Sequence, residues 1–355
     1  MFIIEASGSI FDEEDENQWL ALPAGWLRLA EKGKLLRRVW TAVCILPCLI
    51  GCLMSCSEPR STFAIATGGP AGLFYPFGGG MASIWSKQLP HVNVKAEVTG
   101  GSVTNVIQVA RKESELGIAM ADVITSAYLG QGRFPEPLPL RVLFTAYPNI
   151  VHILTLQGNG ITSVADMLGK RVSLGAAGSG TAIAAENVLT GLGVQLDSLA
   201  ATYLSFAETT SALKDGTIDA GFVVGGLGVA AVTELAVTRD LHLVAIKPEE
   251  LVALHDKYPT YSGYLIPGGT YSGLVDDVQA LGIWSAVVVH EDMPEALAYE
   301  LVCTIYRFRE QLLKVSKVAR AMTLDNIHQL PAVPLHAGTL RYLNDTNSDC
   351  SQSSE

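Results

Sequence analysis

Charge is scarce in this chain of 355 residues and tilted to one sign. Only 17% of the residues are charged, and 24 Lys and Arg stand against 35 Asp and Glu, a formal net charge of −11. No basic stripe is present to neutralise phosphates, which excludes nucleic acid as a partner. The acidity names no substrate. Catalytic signatures are equally thin. Ser179 lies directly between Gly178 and Gly180, so the Gly-x-Ser-x-Gly elbow is absent. The same loop lacks the lysine of a phosphate-binding P-loop, and a Gly-x-Gly-x-x-Gly fingerprint fails because position 183 is Ile. The seven histidines, at 91, 152, 242, 255, 290, 328 and 336, are scattered singly. Each reads as a surface or satisfied structural histidine, and the chain is expected to be no enzyme, with no catalytic residue and no cofactor. Six cysteines occupy 44, 48, 52, 56, 303 and 350, and the first four fall every fourth residue without a His or acidic partner, so no metal site is expected. A membrane span is missing too. The apolar run Val39–Met54 falls short of the about 20 residues a spanning helix needs.

What is present is apolar and glycine-rich. Hydrophobic residues make up 49% of the chain and glycines number 34, the composition of a folded α/β protein with room for two lobes. Residues 1–38 form an acidic extension followed by a basic segment with Lys32, Lys34, Arg37 and Arg38; 39–56 then supplies the apolar region of a secretory signal. Leu49-Ile-Gly-Cys52 resembles a bacterial lipoprotein box, which makes Cys52 the candidate lipidation site and Cys56 a weaker second. A polar tail occupies 343–355.

From Ser61 onward strand-like and helix-like segments alternate. Three predicted strands end in loops rich in glycine and hydroxyls, at 67–72, 99–102 and 175–181. The last is the most telling. Arg171–Thr181 followed by Ala182–Leu189 reads as strand, glycine turn and helix, with Ser179 and Thr181 where a helix wants its cap. The free N–H groups and positive dipole end of that helix suit an anion, most simply a carboxylate. The alternative is a capped connection with no ligand. Later segments predict strands over 201–204, 218–224, 241–246 and 283–289, an irregular Tyr/Pro/Gly-rich stretch over 258–271, and one long helix over 295–314.

Thr67-Gly-Gly with Tyr75-Pro-Phe-Gly-Gly79, Thr99-Gly-Gly-Ser-Val103, Gly175-Ala-Ala-Gly-Ser-Gly-Thr181, Leu204-Ser-Phe-Ala-Glu208, Lys214-Asp-Gly-Thr-Ile-Asp-Ala220 and Pro334-Leu-His-Ala-Gly338 resemble, in order, the TAXI family of TRAP-transporter solute receptors. The resemblance covers about 62–342. It implies an α/β, two-lobed periplasmic-binding-protein type 2 fold, each lobe a mixed, mostly parallel sheet flanked by helices. The first lobe would hold 62–148 plus 268–342 and the second 149–267. It also implies an extracytoplasmic, lipid-anchored receptor that hands a small organic acid, a glutamate-like amino acid or a dicarboxylate, to TRAP membrane permease subunits. A sensor of the same fold, uncoupled from transport, is the alternative. In the receptor reading Gly178, Ser179, Gly180 and Thr181 hold one carboxylate from the second lobe, and Gly101 and Ser102 add donors from the first. Tyr75 packs on the carbon chain, or else belongs to the core; Arg141 forks onto a second carboxylate, or else is an exposed strand-start arginine. The sequence departs from the family pattern at Ala121-Asp122, Gly228 and Thr270-Tyr-Ser-Gly273. Those departures bear on the ligand, not the fold.

Overall fold

The computed structural model describes residues 60–330 and 332–345. The N-terminal extension, the signal-like segment with Cys52 and Cys56, and the tail from 346 lie outside the described residues.

Two parallel βαβ arrangements are joined by two long strands. The first consists of β1 (Ser61–Ala66), α1 (Phe74–Gln88), β2 (Val92–Glu97), α2 (Ser102–Ala110), β3 (Leu116–Met120) and α3 (Ala121–Leu129). β1 pairs parallel with both β2 and β3. The second contains β5 (Arg171–Ser173), α4 (Gly180–Gly191), β6 (Ala200–Thr202), α5 (Phe206–Lys214) and β7 (Ala220–Gly225), with β5 parallel to β6 and β7. Between them runs β4 (Leu140–Leu156), which pairs antiparallel with β10 (Val278–His290) over its first part and with β7 beyond Ile150. The sheet order is β2-β1-β3-β10-β4-β7-β5-β6. β8 (Leu241–Leu243) adds to β4 and β9 (Tyr261–Ile266) to β10. Both faces of β3 are buried, which is why Leu-Gly-Ile-Ala-Met shows no alternation.

Helices α6 (Ala230–Thr238), α7 (Pro248–Lys257), α8 (Glu295–Arg307), α9 (Arg309–Leu313) and α10 (Ala337–Asn344) complete the elements used below. One core cluster gathers Phe77, Met81 and Trp85 of α1 with Phe144 of β4 and Leu301 and Ile305 of α8. Full burial of such side chains contributes about 1.5–3 kcal/mol each. The Trp85 indole N–H also donates to the Leu301 carbonyl at 2.9 Å, tying α1 to α8. A second cluster joins β4 and β7 to α6 through Leu154, Val223, Val232 and Leu235. A third brings Val106 and Ile124 of α2 and α3 together with Ala185 and Val188 of α4.

Three expectations change. The stretch 258–271 is not wholly irregular, because Tyr261–Ile266 forms β9 in register with β10, Tyr261 opposite Ile283. Gly263 and the exposed Leu265 hide the alternation, although tyrosine favours strands. Helix α7 is additional; Pro248 at its first position and Glu249 and Glu250 in its first turn are ordinary start signals. The long C-terminal helix breaks at Phe308 into α8 and α9.

Candidate functional site

Asn105 organises the strand ends of the first half. Fully buried on α2, it donates from Nδ2 to the Thr67 carbonyl at 2.6 Å and to the Ile118 carbonyl at 2.7 Å. Its Oδ1 accepts from the Thr99 hydroxyl, and Thr99 Oγ1 accepts the Gly101 N–H at 3.1 Å. One side chain therefore fixes the ends of β1, β2 and β3 relative to one another. Gly101 then enters α2 at φ 112°, a conformation open to glycine and strained for other residues.

The second half supplies the facing loop. Gly175 and Gly178 have φ of 98° and 76°, and the chain turns there into Ser179, whose hydroxyl accepts the Ala182 N–H at 3.1 Å and caps α4. The two loops touch. The Thr104 N–H donates to the Gly178 carbonyl at 3.2 Å. A Cβ on Gly180 would stand 2.7 Å from Ser102 Oγ, and one on Gly101 would stand 3.3 Å from Ser179 Cα. Farther along, a Cβ on Gly72 would meet the Phe206 ring at 3.3 Å. Glycine at these positions allows the backbones to meet.

Behind these contacts is a cavity of about 280 Å³, bounded by 68–74, 99–102, Met120 and Asn149 on one side and by Ala176, 179–181, 205–207 and 224–225 on the other. Helices α1, α2, α4 and α5 all begin at its wall, with Phe74, Ser102, Gly180 and Phe206 among its lining residues. The N–H groups of Ser102, Val103, Gly180, Thr181, Phe206 and Ala207 have no acceptor among the described residues. Four positive dipole ends thus converge on one volume. Among the described residues no lining side chain is ionisable.

Of the residues expected to bind ligand, Gly101, Ser102, Ser179, Gly180 and Thr181 come together on this wall. Ser102 Oγ accepts the Met120 N–H at 3.1 Å, which leaves its own hydrogen to donate. Gly178 stands one layer back and shapes the turn. Tyr75 does not line the cavity and is 37% exposed; helix α1 begins one residue earlier, so the Phe74 ring takes that place. Arg141 is also corrected. It lies at the start of β4, eight residues from Asn149, or about 26 Å along an extended strand. There it pairs with Glu291 at 2.7 Å and donates to the Leu140 carbonyl at 2.8 Å. The strand's direction, not its composition, carries it away from the cleft.

Sequence reading missed Phe74, Asn105, Met120, Asn149 and Phe206. Phe206 was accessible, since Ser205-x-x-Glu208 is a capping box that puts the next residue at a helix start. Asn149 gave no local signal, because its role follows from where β4 leaves β10 for β7.

Asp122 and His152 are among the buried titratable groups outside the cavity wall. Burial raises the Asp122 carboxyl to about 6, opposed by the Tyr261 hydroxyl donating at 2.9 Å. Burial lowers the His152 ring to about 4. His152 Nδ1 donates to the Val223 carbonyl at 3.1 Å and Nε2 accepts from Tyr271 at 2.8 Å, a satisfied structural histidine as the sequence suggested.

Comparison with solved structures gives the same architecture at low identity. PhnD1 from Prochlorococcus marinus, solved with methylphosphonate, is 14% identical with a TM-score of 0.50, over 74% of this chain and 91% of that one. The periplasmic aliphatic sulphonate binding protein SsuA from Escherichia coli is 15% identical with a TM-score of 0.43, over 78% and 84%. An ancestral arginine-binding protein bound to arginine is 16% identical with a TM-score of 0.47, over 73% and 98%. The fold is the two-lobed type 2 arrangement of periplasmic binding proteins. The NMT1-like family model matches residues 65–346, most of the sequence, and the chain belongs to the NMT1-like family.

Proposed function

We propose that the chain is an extracytoplasmic solute receptor that clamps a small organic acid between its lobes and delivers it to a membrane permease. The observation that carries this reading is the convergence of four helix N termini on one uncharged cavity between loops of both halves. A carboxylate there accepts from the Gly180 and Thr181 N–H groups and from the hydroxyls of Ser179, Thr181 and Ser102. Phe74 and Phe206 enclose its carbon chain. The lobes in this reading are 62–148 with 268–342, and 149–267. The ligand leaves unchanged, so no catalysis is invoked.

The structural neighbours include a sulphonate-binding protein and a methylphosphonate complex, which favours anion recognition in the same kind of cleft. Another is described as an L-cystine ABC transporter from Listeria monocytogenes, so coupling to an ABC permease competes with the TRAP coupling that the TAXI-like motifs support. Cys303 is disulfide-bonded, in keeping with an oxidising compartment outside the cytoplasm. Among the described residues no helix is long and apolar enough to cross a membrane. Attachment through lipid on Cys52 is part of this proposal and rests on the Leu49-Ile-Gly-Cys52 box alone. Native mass spectrometry of freshly purified protein tests the function. The expected result is a carried-over small acid, recovered intact on denaturation. Recovery of a chemically converted product contradicts a pure receptor.

A further inference from the structure

We propose that Asn149 sets the specificity of the cleft: its Oδ1 accepts from a hydroxyl or ammonium group carried on the carbon chain of the acid held at the start of α4. The inference rests on the receptor reading above and deepens it, because it gives the ligand a donor as well as a carboxylate.

The sheet, not a loop, places Asn149. It stands opposite Ile283 of β10, one residue before Ile150, which pairs with Gly282 of β10 and with Gly225 of β7. The residue is 1% exposed and lines the cavity. Its Nδ2 donates to the Ile283 carbonyl at 3.4 Å, a long bond that still fixes which way the amide faces, since a carbonyl oxygen only accepts. The amide oxygen therefore points the other way. It has no partner among the described residues, and it is not sealed in as Gln108 Oε1, Tyr147 Oη and Tyr306 Oη are. It opens onto the cavity.

The start of α4 has the complementary need. Thr181 is 4% exposed and lines the cavity, and its hydroxyl has no partner among the described residues. That hydroxyl and the N–H groups of Gly180 and Thr181 offer donors to a carboxylate. A hydroxyl can turn to donate or to accept, whereas the Asn149 oxygen only accepts. A carboxylate on a plain hydrocarbon chain leaves that oxygen stripped of water and unpaired. Further carboxylates on the ligand do not help, because they are acceptors too. A hydroxyl or an ammonium supplies the missing hydrogen.

Calorimetry on the full chain uses one carbon skeleton as the probe set: butyrate, the 2-, 3- and 4-hydroxybutyrates and the 2-, 3- and 4-aminobutyrates. At least one substituted acid is expected to bind about tenfold or more tightly than butyrate, and the tighter series, hydroxy or amino, identifies the donor. Asn149→Leu keeps a similar volume without hydrogen bonding, and in it that ratio is expected to fall to within about twofold of unity. An unchanged ratio in a folded Asn149→Leu variant overturns the proposal, as does butyrate matching all the substituted acids in the native protein; the receptor reading survives either result. Asn149→Asp keeps an acceptor in place and should keep the ratio, so its loss there contradicts the assignment even where Asn149→Leu fails to fold. Absence of binding by every probe overturns the proposal, and if native mass spectrometry then recovers no acid, the receptor reading falls with it.

Discussion

Asp122 and His152 are both buried, and their effects on stability run in opposite directions with pH. The folded-state pKa of Asp122 is raised from 3.8 to about 6, so its contribution is fully present below 3.8 and is lost as pH rises through about 6. That of His152 is lowered from 6.5 to about 4, so its contribution is present above 6.5 and is lost as pH falls toward 4. Between those limits the two nearly cancel. Asp122→Asn removes one side of the balance and keeps an acceptor for the Tyr261 hydroxyl. The variant should lose about 2–3 kcal/mol more than the native protein on going from pH 6.5 to pH 4, read from urea midpoints. Parallel pH profiles would sink the idea. Tyr147 offers a second test at this scale. It is fully buried, and its hydroxyl has no partner among the described residues. Tyr147→Phe removes an unsatisfied polar atom and should leave stability unchanged or raise it by about 1 kcal/mol. A clear fall in melting temperature would show that the hydroxyl has an unrecognised partner.

Among the elements, α4 contributes more to the site than its length suggests. Its first residues reach the cavity, while Glu186, farther along, accepts from Arg133 in the loop after α3 at 2.5 and 2.7 Å and from the Tyr203 hydroxyl at 3.1 Å. Asn187 donates to the Tyr261 hydroxyl, which donates on to Asp122 of α3. Both chains of contact span the two halves beside the cleft. Arg133 is 49% exposed, so its ion pair is worth only about 0–1 kcal/mol. Arg133→Ala should weaken ligand binding by no more than about fivefold, less at high salt. A loss of more than that, insensitive to salt, would move Arg133 into the binding site itself. Much of this was legible beforehand where local chemistry decides it. The glycine loops, the Ser179 cap and the buried strand Leu116–Met120 emerged from residue types alone. The failures are long-range. Arg141 and Tyr75 carried suitable chemistry, but the run of β4 and the start of α1 at Phe74 set them off the wall. Asn105 looks like any helical asparagine until three strand ends are seen to share it. β9 depended on a partner strand whose register no local pattern records.

At the scale of the molecule, loops from both halves meet directly and one core cluster unites α2, α3 and α4; in the proposed receptor that is the arrangement expected of the ligand-closed clamp. Because β4 and β10 are the strands that serve both halves, opening is expected to rotate about them, near Pro148 and Gly282. Small-angle scattering should show a smaller radius of gyration once the cognate acid is added, and an unchanged profile at saturation would count against a clamp. The central claim remains the carboxylate at the start of α4. Calorimetry comparing the native protein with the Ser179→Ala/Thr181→Ala double variant tests it most directly, because a cap contributes only about 0.5–2 kcal/mol and the fold should survive. The account predicts a loss of about 1–3 kcal/mol per hydrogen bond to the charged group, with circular dichroism unchanged. Equal affinity in a folded double variant would contradict it and return the loop to a structural connection.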